Sequence, residues 1–218
     1  AVILAVTFFP VFYSRLALRA IMLPVFSGLS GYFFWRGYVN RHTRASMLMA
    51  GIFAGLATYT YMASRVIPIF FILFFSYLIA WQRKSLRITF YILLPYVLIS
   101  APLFIYLAVN PSAEFRISEI NLPLEQLRQF NLRPVLENAW HILGVWGWNG
   151  DPLWRQNVAG EPIFRWHIAL LFYGGVFFML WRRQARDIFA LLWIATATIP
   201  SLLTVDAPST IRMINMLP

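Results

Sequence analysis

The sequence predicts an all-α, polytopic integral membrane protein. It would have about six full transmembrane helices plus one partial span, and one long outer-face loop containing an amphipathic interfacial helix. Three observations predict this class. Of 218 residues, 60% are hydrophobic and 12% charged, and mean hydropathy is +0.66. That is more apolar surface than a soluble domain of this length can bury. The apolar residues fall into runs near the ~20 residues that cross a hydrocarbon core. The basic residues crowd into short gaps between those runs. No cysteine is present, which excludes a disulfide framework and a thiolate metal site. Net charge is +10, but the cations are scattered and form no single stripe. Nucleic acid is therefore excluded in favour of a lipid bilayer and anionic substrates as partners.

Residues 1–13 read as the tail of a span. Further spans follow near 20–35, 45–62, 66–81, 88–109, 167–181 and 188–204. Pro24, Pro68, Pro95 and Pro102 fall in or beside these runs, which membrane helices accommodate when neighbours satisfy the freed carbonyls. Residues 1–218 are expected to be part of a single transmembrane domain. With no initiator Met, no signal peptide and no polar tail, the chain is expected to be an internal piece of a longer membrane protein.

Loop charge orients the spans. Loops 36–44, 82–87 and 182–187 hold Arg36, Arg41, Arg44, Arg83, Lys84, Arg87, Arg182, Arg183 and Arg186, nine basic residues against the single acid Asp187. The alternate segments hold nine basic residues and seven acids, spread mostly along 110–166. Because the bias counts Lys and Arg in short loops, 36–44, 82–87 and 182–187 are expected to be cytoplasmic. Arg15, Arg65 and Arg212 then lie at outer ends of spans, each near Ser or Thr. A guanidinium matches phosphate oxygens in a bidentate way and stays charged at cellular pH, so these three are candidates for holding a lipid-linked phosphate. Snorkelling to headgroups is the plainer alternative.

The outer loop, 110–166, is the only long connection. Leu124, Leu127, Val135, Leu136, Ala139, Ile142 and Leu143 recur at helical spacing over 124–145, opposite Glu125, Arg128, Arg133, Glu137 and Asn138. This predicts an amphipathic helix at the interface. The stretch WGWNGDPLWRQNVAGEPIF at 146–164 predicts irregular structure, with its tryptophans read as interfacial anchors. Asp151 and Arg155 anchor nothing and are candidate binding groups.

The three histidines, His42, His141 and His167, lack metal-ligand spacing, and no phosphate-cradling glycine loop or nucleophile elbow occurs. No metal site and no cofactor are expected, although a divalent metal could assist the chemistry below. Gly51 and Gly55 form a GxxxG pair, for which close helix packing is the default reading. Asp206 is a candidate acid/base or acceptor contact. Capping of the turn in DAPS suits an aspartate there at least as well.

Taken in order, SRLALRAIMLP, GIFAGLATYTYMASRVIP, GDPLWRQNVAGEP and DAPSTIRMINMLP resemble bacterial membrane glycosyltransferases of the GT-C superfamily. The PMT-like group, kin of protein O-mannosyltransferases and lipid A aminoarabinose transferases, is the nearest in pattern. The likeness covers most of the chain. Its more specific phrases are GLxxYTYxAxRxxP and GDxxWRxNxxGxP. The resemblance implies transfer of a sugar from a polyprenyl-phosphate donor to a glycan, lipid or protein acceptor at the outer face of a cell membrane, the bacterial plasma membrane being expected. It implies Arg15, Arg65 and Arg212 near the donor phosphate, and Asp151, Arg155 and Asn157 in a loop covering the cavity. The family's catalytic aspartate would lie upstream of Ala1, which leaves the catalytic residues of this segment unknown apart from Asp206. The competing function is a multi-pass transporter or lipid flippase. Such proteins carry ionisable residues deep within their spans, whereas the mid-span regions here are almost uncharged and the polar features gather at one face.

Overall fold

The computed structural model describes residues 8–15, 19–39, 43–81, 86–114, 122–154 and 158–217. Nine α-helices follow in order among them: α1 (Phe8–Arg15), α2 (Met22–Val39), α3 (Thr43–Ala57), α4 (Ile67–Ala80), α5 (Leu86–Val109), α6 (Leu122–Arg128), α7 (Arg133–Gly144), α8 (Trp166–Arg182) and α9 (Ala185–Leu202). Short 3-10 turns lie at Arg19–Ile21, Met62–Val66, Pro111–Glu114 and Ile214–Met216. No strand occurs among the described residues, in keeping with the all-α class.

Three helical stretches are long and apolar enough to cross a membrane: Met62–Ala80, Thr89–Val109 and Ala185–Leu202. The runs expected at 45–62 and 167–181 form shorter apolar helices, Arg44–Ala57 and Trp166–Arg182. The end of α3 shows why. Thr58 and Thr60 turn their hydroxyls onto the Gly55 and Ala57 carbonyls, at 2.6 and 2.7 Å, and so compete with the continuing helix for those acceptors. At 1.5 Å per residue, the fifteen residues of α3 span about 22 Å, less than the ~30 Å hydrocarbon core. In α2 the length suffices, but Ser27, Ser30, Gly28, Gly31 and Arg36 dilute its apolar character.

The chain divides into two compact units, one formed by residues 19–113 and the other by residues 1–18 together with 114–217. In the first, the four-helix unit, α3 packs against both α2 and α5. After the buried Met47, its buried stripe is Ala50, Gly51, Ala54, Gly55 and Ala57, small residues that let backbones approach closely. A Cβ on Gly51 would stand 2.2 Å from the Ile92 carbonyl oxygen, so only glycine permits that crossing. The α4 helix meets α2 through Phe34–Phe74, with ring centroids 5.4 Å apart, and meets α5 through Phe71–Tyr96 at 5.3 Å. Its outward residues Ile69, Ile72, Leu73 and Ile79 are as apolar as the buried ones. A helix apolar all round has no face suited to water.

In the second, the strap unit, Ile142, Val145, Trp146 and Met213 form the core, joined by Phe164 and Phe172 among others. Arg183 turns the chain between α8 and α9 with φ 54°. Gln184 and Asp187 then cap α9 reciprocally, and Asp187 also accepts a 2.8 Å bond from Arg182 Nε. The single amphipathic helix expected over 124–145 is instead two helices, α6 and α7, broken at 129–132. Pro134 lies in the first turn of α7; it has no N–H to give the Phe130 carbonyl and its ring crowds that carbonyl, so one helix cannot run through both. Phe130 closes α6 at φ 62°. The apolar residues of α7 fall on two sides: Ile142 is buried, while Leu136, Trp140 and Leu143 are exposed.

Candidate functional site

The strap unit is closed by residues 203–217, which leave the end of α9 and return against the segment that holds Asp151. A helix end leaves carbonyls without intrahelical partners, and here they are taken up in turn. The Leu203 N–H donates to the Ile199 carbonyl and Thr204 Oγ1 to that of Pro200, at 3.1 and 2.8 Å. Asn138 Nδ2, reaching from α7, donates to Leu202 and Thr204 carbonyls at 2.9 and 3.0 Å. Beyond that cap, Asp206 is exposed in the left-handed region at φ 58°, a conformation that aspartate tolerates better than most residues.

Three contacts fix the return. The Ser209 N–H donates to Ser201 Oγ at 2.9 Å. Thr210 donates twice to Asp151 Oδ2, from its N–H at 2.7 Å and its hydroxyl at 2.8 Å. Arg212 Nη1 donates to Thr204 Oγ1 at 2.7 Å and to the Val205 carbonyl, closing residues 204–212 into a ring.

Asp151 is 0% exposed. A buried carboxylate is costly unless its oxygens are hydrogen-bonded, and both are, since Oδ1 accepts from the Leu153 N–H at 2.9 Å. Tyr13 and Thr210 are equally buried, with their hydroxyl oxygens 2.9 Å apart. A hydroxyl has one proton, and Thr210 directs its own to Asp151, so the Tyr13 hydroxyl donates to Thr210. The three groups form one oriented chain from Tyr13 through Thr210 to Asp151.

The surrounding loop explains how Asp151 is held. The Ile163 and Phe164 N–H groups donate to the Val145 and Trp146 carbonyls at 2.8 and 3.2 Å, and the Gly160 N–H donates to the Asp151 carbonyl at 2.9 Å. The described residues of 146–164 are non-helical, as expected, yet Gly160 returns to Asp151. A Cβ on Gly150 would lie 2.1 Å from the Glu161 carbonyl oxygen, and Gly160 has φ +79°. Both glycines of GDPLWRQNVAGEP are therefore required by backbone geometry.

Of the residues singled out in the sequence, Asp151, Asp206 and Arg212 belong to this one arrangement. Arg15 ends α1 and is exposed, two residues beyond Tyr13. Arg65 is part of the other unit, half-buried in the 3-10 turn Met62–Val66. Beside it Ser64, fully buried, donates to the Thr58 carbonyl at 3.2 Å. Arg155 and Asn157 lie outside the described residues, as do His42, Arg41, Arg83 and Lys84. His141 is exposed and bonded to Asn149 at 2.8 Å, and His167 is exposed at the start of α8. No group of three metal-ligating side chains occurs among the described residues.

Sequence reasoning missed Thr210, Tyr13 and Asn138. A threonine in PSTIR and a tyrosine in an aromatic run carry no local sign of a partner far along the chain. Asn138, placed on the polar face of an amphipathic helix, serves the end of α9 instead. The basic side chain that remains attached to this scaffold is Arg212, half-buried at the helix end. Its guanidinium supplies a permanent positive charge on a loop held by those three contacts. No protein-family model, curated protein or solved structure matches the chain.

Proposed function

We propose that the chain is part of a polytopic glycosyltransferase of the GT-C, PMT-like kind. It would move a sugar from a polyprenyl-phosphate donor to a glycan, lipid or protein acceptor at the outer face of a bacterial plasma membrane. In this reading about six full spans and one partial span cross the bilayer, with loops 36–44, 82–87 and 182–187 in the cytoplasm. The acceptor hydroxyl attacks the anomeric carbon and gives its proton to a carboxylate base. The bond between that carbon and the phosphate oxygen breaks, and its electron pair stays on the phosphate. Arg15, Arg65 and Arg212 stabilise the charge that develops on that leaving group, an effect worth most where water is excluded. Asp151, Arg155 and Asn157 belong to the loop over the cavity.

One observation supports this reading above the rest. Two of the four stretches on which the resemblance rests, GDPLWRQNVAGEP and DAPSTIRMINMLP, meet through Asp151 and Thr210, and Tyr13, the residue before SRLALRAIMLP, joins them. Stretches joined across 197 and 59 residues act as one construction, as a shared site requires.

The test is made on the full-length protein in membranes. Arg65→Ala should lower sugar transfer from a polyprenyl-phosphate donor at least about a hundredfold, the usual scale for losing a preorganised donor to developing charge, with folded yield unchanged. Turnover equal to that of the parent protein would remove the phosphate role. A topology reporter placed in 82–87 should read cytoplasmic and one in 146–164 external; the reverse would overturn the orientation.

A further inference from the structure

We infer that Asp151 and Thr210 are positioning residues for Arg212: their hydrogen bonds, backed by Tyr13, set where the Arg212 guanidinium stands and so tune how tightly it holds a lipid-linked phosphate. This rests on the donor-binding reading of Arg212 given above. The geometry is short and direct. Thr210 lies two residues before Arg212, and its backbone N–H and hydroxyl are both spent on one oxygen of Asp151. That fixes the peptide orientation as well as the side chain. The turn from Ser209 carries the effect onward, since both Arg212 and Met213 donate their N–H to the Ser209 carbonyl, at 3.1 and 3.2 Å. Arg212 then folds back to Thr204 and Val205.

Burial argues that Asp151 acts through the loop and not on a ligand. Its carboxylate is 0% exposed, as are Thr210 and Tyr13, so no lipid phosphate reaches it. An anion would also be repelled by a carboxylate. The sequence alone offered Asp151 as a candidate binding group; its place in the fold makes it the strut beneath a cation. A charge placed by a fixed scaffold loses less freedom on binding than one on a mobile loop, and affinity rises accordingly.

Binding of a polyprenyl monophosphate to the full-length protein in phosphatidylcholine nanodiscs tests this, with thermal midpoint recorded separately for each variant. Thr210→Val, nearly isosteric but without the hydroxyl, should weaken binding about tenfold per folded molecule, the loss expected when one charge-assisted hydrogen bond goes. Thr210→Ser restores the hydroxyl and should bind within about twofold of the parent, well under the effect of losing one such bond. Should Thr210→Val fail to fold, Tyr13→Phe decides instead. It removes one hydroxyl, keeps the ring, and should weaken binding about threefold, as for a neutral hydrogen bond. Normal binding by Thr210→Val, or by Tyr13→Phe where the valine variant cannot be made, alongside lost binding by Arg212→Ala, overturns the positioning role and leaves the donor reading intact. Normal binding by Arg212→Ala overturns the donor reading itself, and the positioning role with it.

Discussion

The four-helix unit and the strap unit are built on opposite principles. In the first, helices meet backbone to backbone. Gly51 and Gly55 open the α3–α5 contact, and Ala50, Ala54 and Ala57 keep the rest of the stripe thin. Phe70, Phe71, Phe74 and Phe75 of α4 fill the remaining volume. Ser30 Oγ bonds a backbone carbonyl there, that of Ala50, at 2.8 Å. In the strap unit a non-helical segment is held by side chains of distant elements, through Asp151, Asn138 and Tyr13. The difference teaches where each unit is vulnerable. An added carbon does most harm where two helices cross, in the first; the second depends in addition on hydrogen bonds between distant elements.

Substitutions can break or sharpen that contrast. The largest effect is expected from Gly51→Val. With a Cβ only 2.2 Å from the Ile92 carbonyl oxygen, the helices must part, at a cost of about 3 kcal/mol or more, the top of the overpacking range. Loss of monodisperse protein in size-exclusion chromatography is the expected readout, and an unchanged thermal midpoint would show that α3 and α5 are not in such contact. Next comes Gly150→Ala in the strap unit. Its Cβ would approach the Glu161 carbonyl oxygen to 2.1 Å, but a surface loop can shift further than two packed helices, so about 2 kcal/mol is expected. Limited proteolysis should then cut within 150–162 while the four-helix unit resists. Cleavage no faster than in the parent chain would mean that the doubled-back loop is not held as tightly as its hydrogen bonds indicate. The smallest effect belongs to Arg133→Ala. Its 2.8 Å pair with Glu137 lies in the open, with side chains 83% and 56% exposed, and such pairs add little. The midpoint should not move measurably; a clear fall would mean that α7 depends on surface charge as well as on its buried face.

Much of the helical framework was legible in the sequence. Apolar run length anticipated α4, α5 and α9 to within a few residues, and the YTYMASRV stretch between two runs became the turn joining α3 to α4. GxxxG spacing correctly indicated close packing by Gly51 and Gly55. The break between α6 and α7 was signalled by Pro134, which the apolar periodicity of 124–145 outweighed. Among the candidate site residues, Arg212 and Asp151 were legible as polar groups on an apolar chain, but the burial of one and the half-buried anchoring of the other were not.

By itself, then, the sequence determined the all-α class and the positions of most helix ends. Those depend on run length, prolines and caps within a few residues of one another, and a short stretch carries its own physics. The tertiary structure alone decided that Asp151 is buried, that Thr210 is its partner, and that Tyr13 completes the chain. Those contacts join residues 59 and 197 positions apart. A carboxylate shows no sign in its own neighbourhood of whether water or a threonine will meet it; only the folded chain supplies the donors that allow it to be buried.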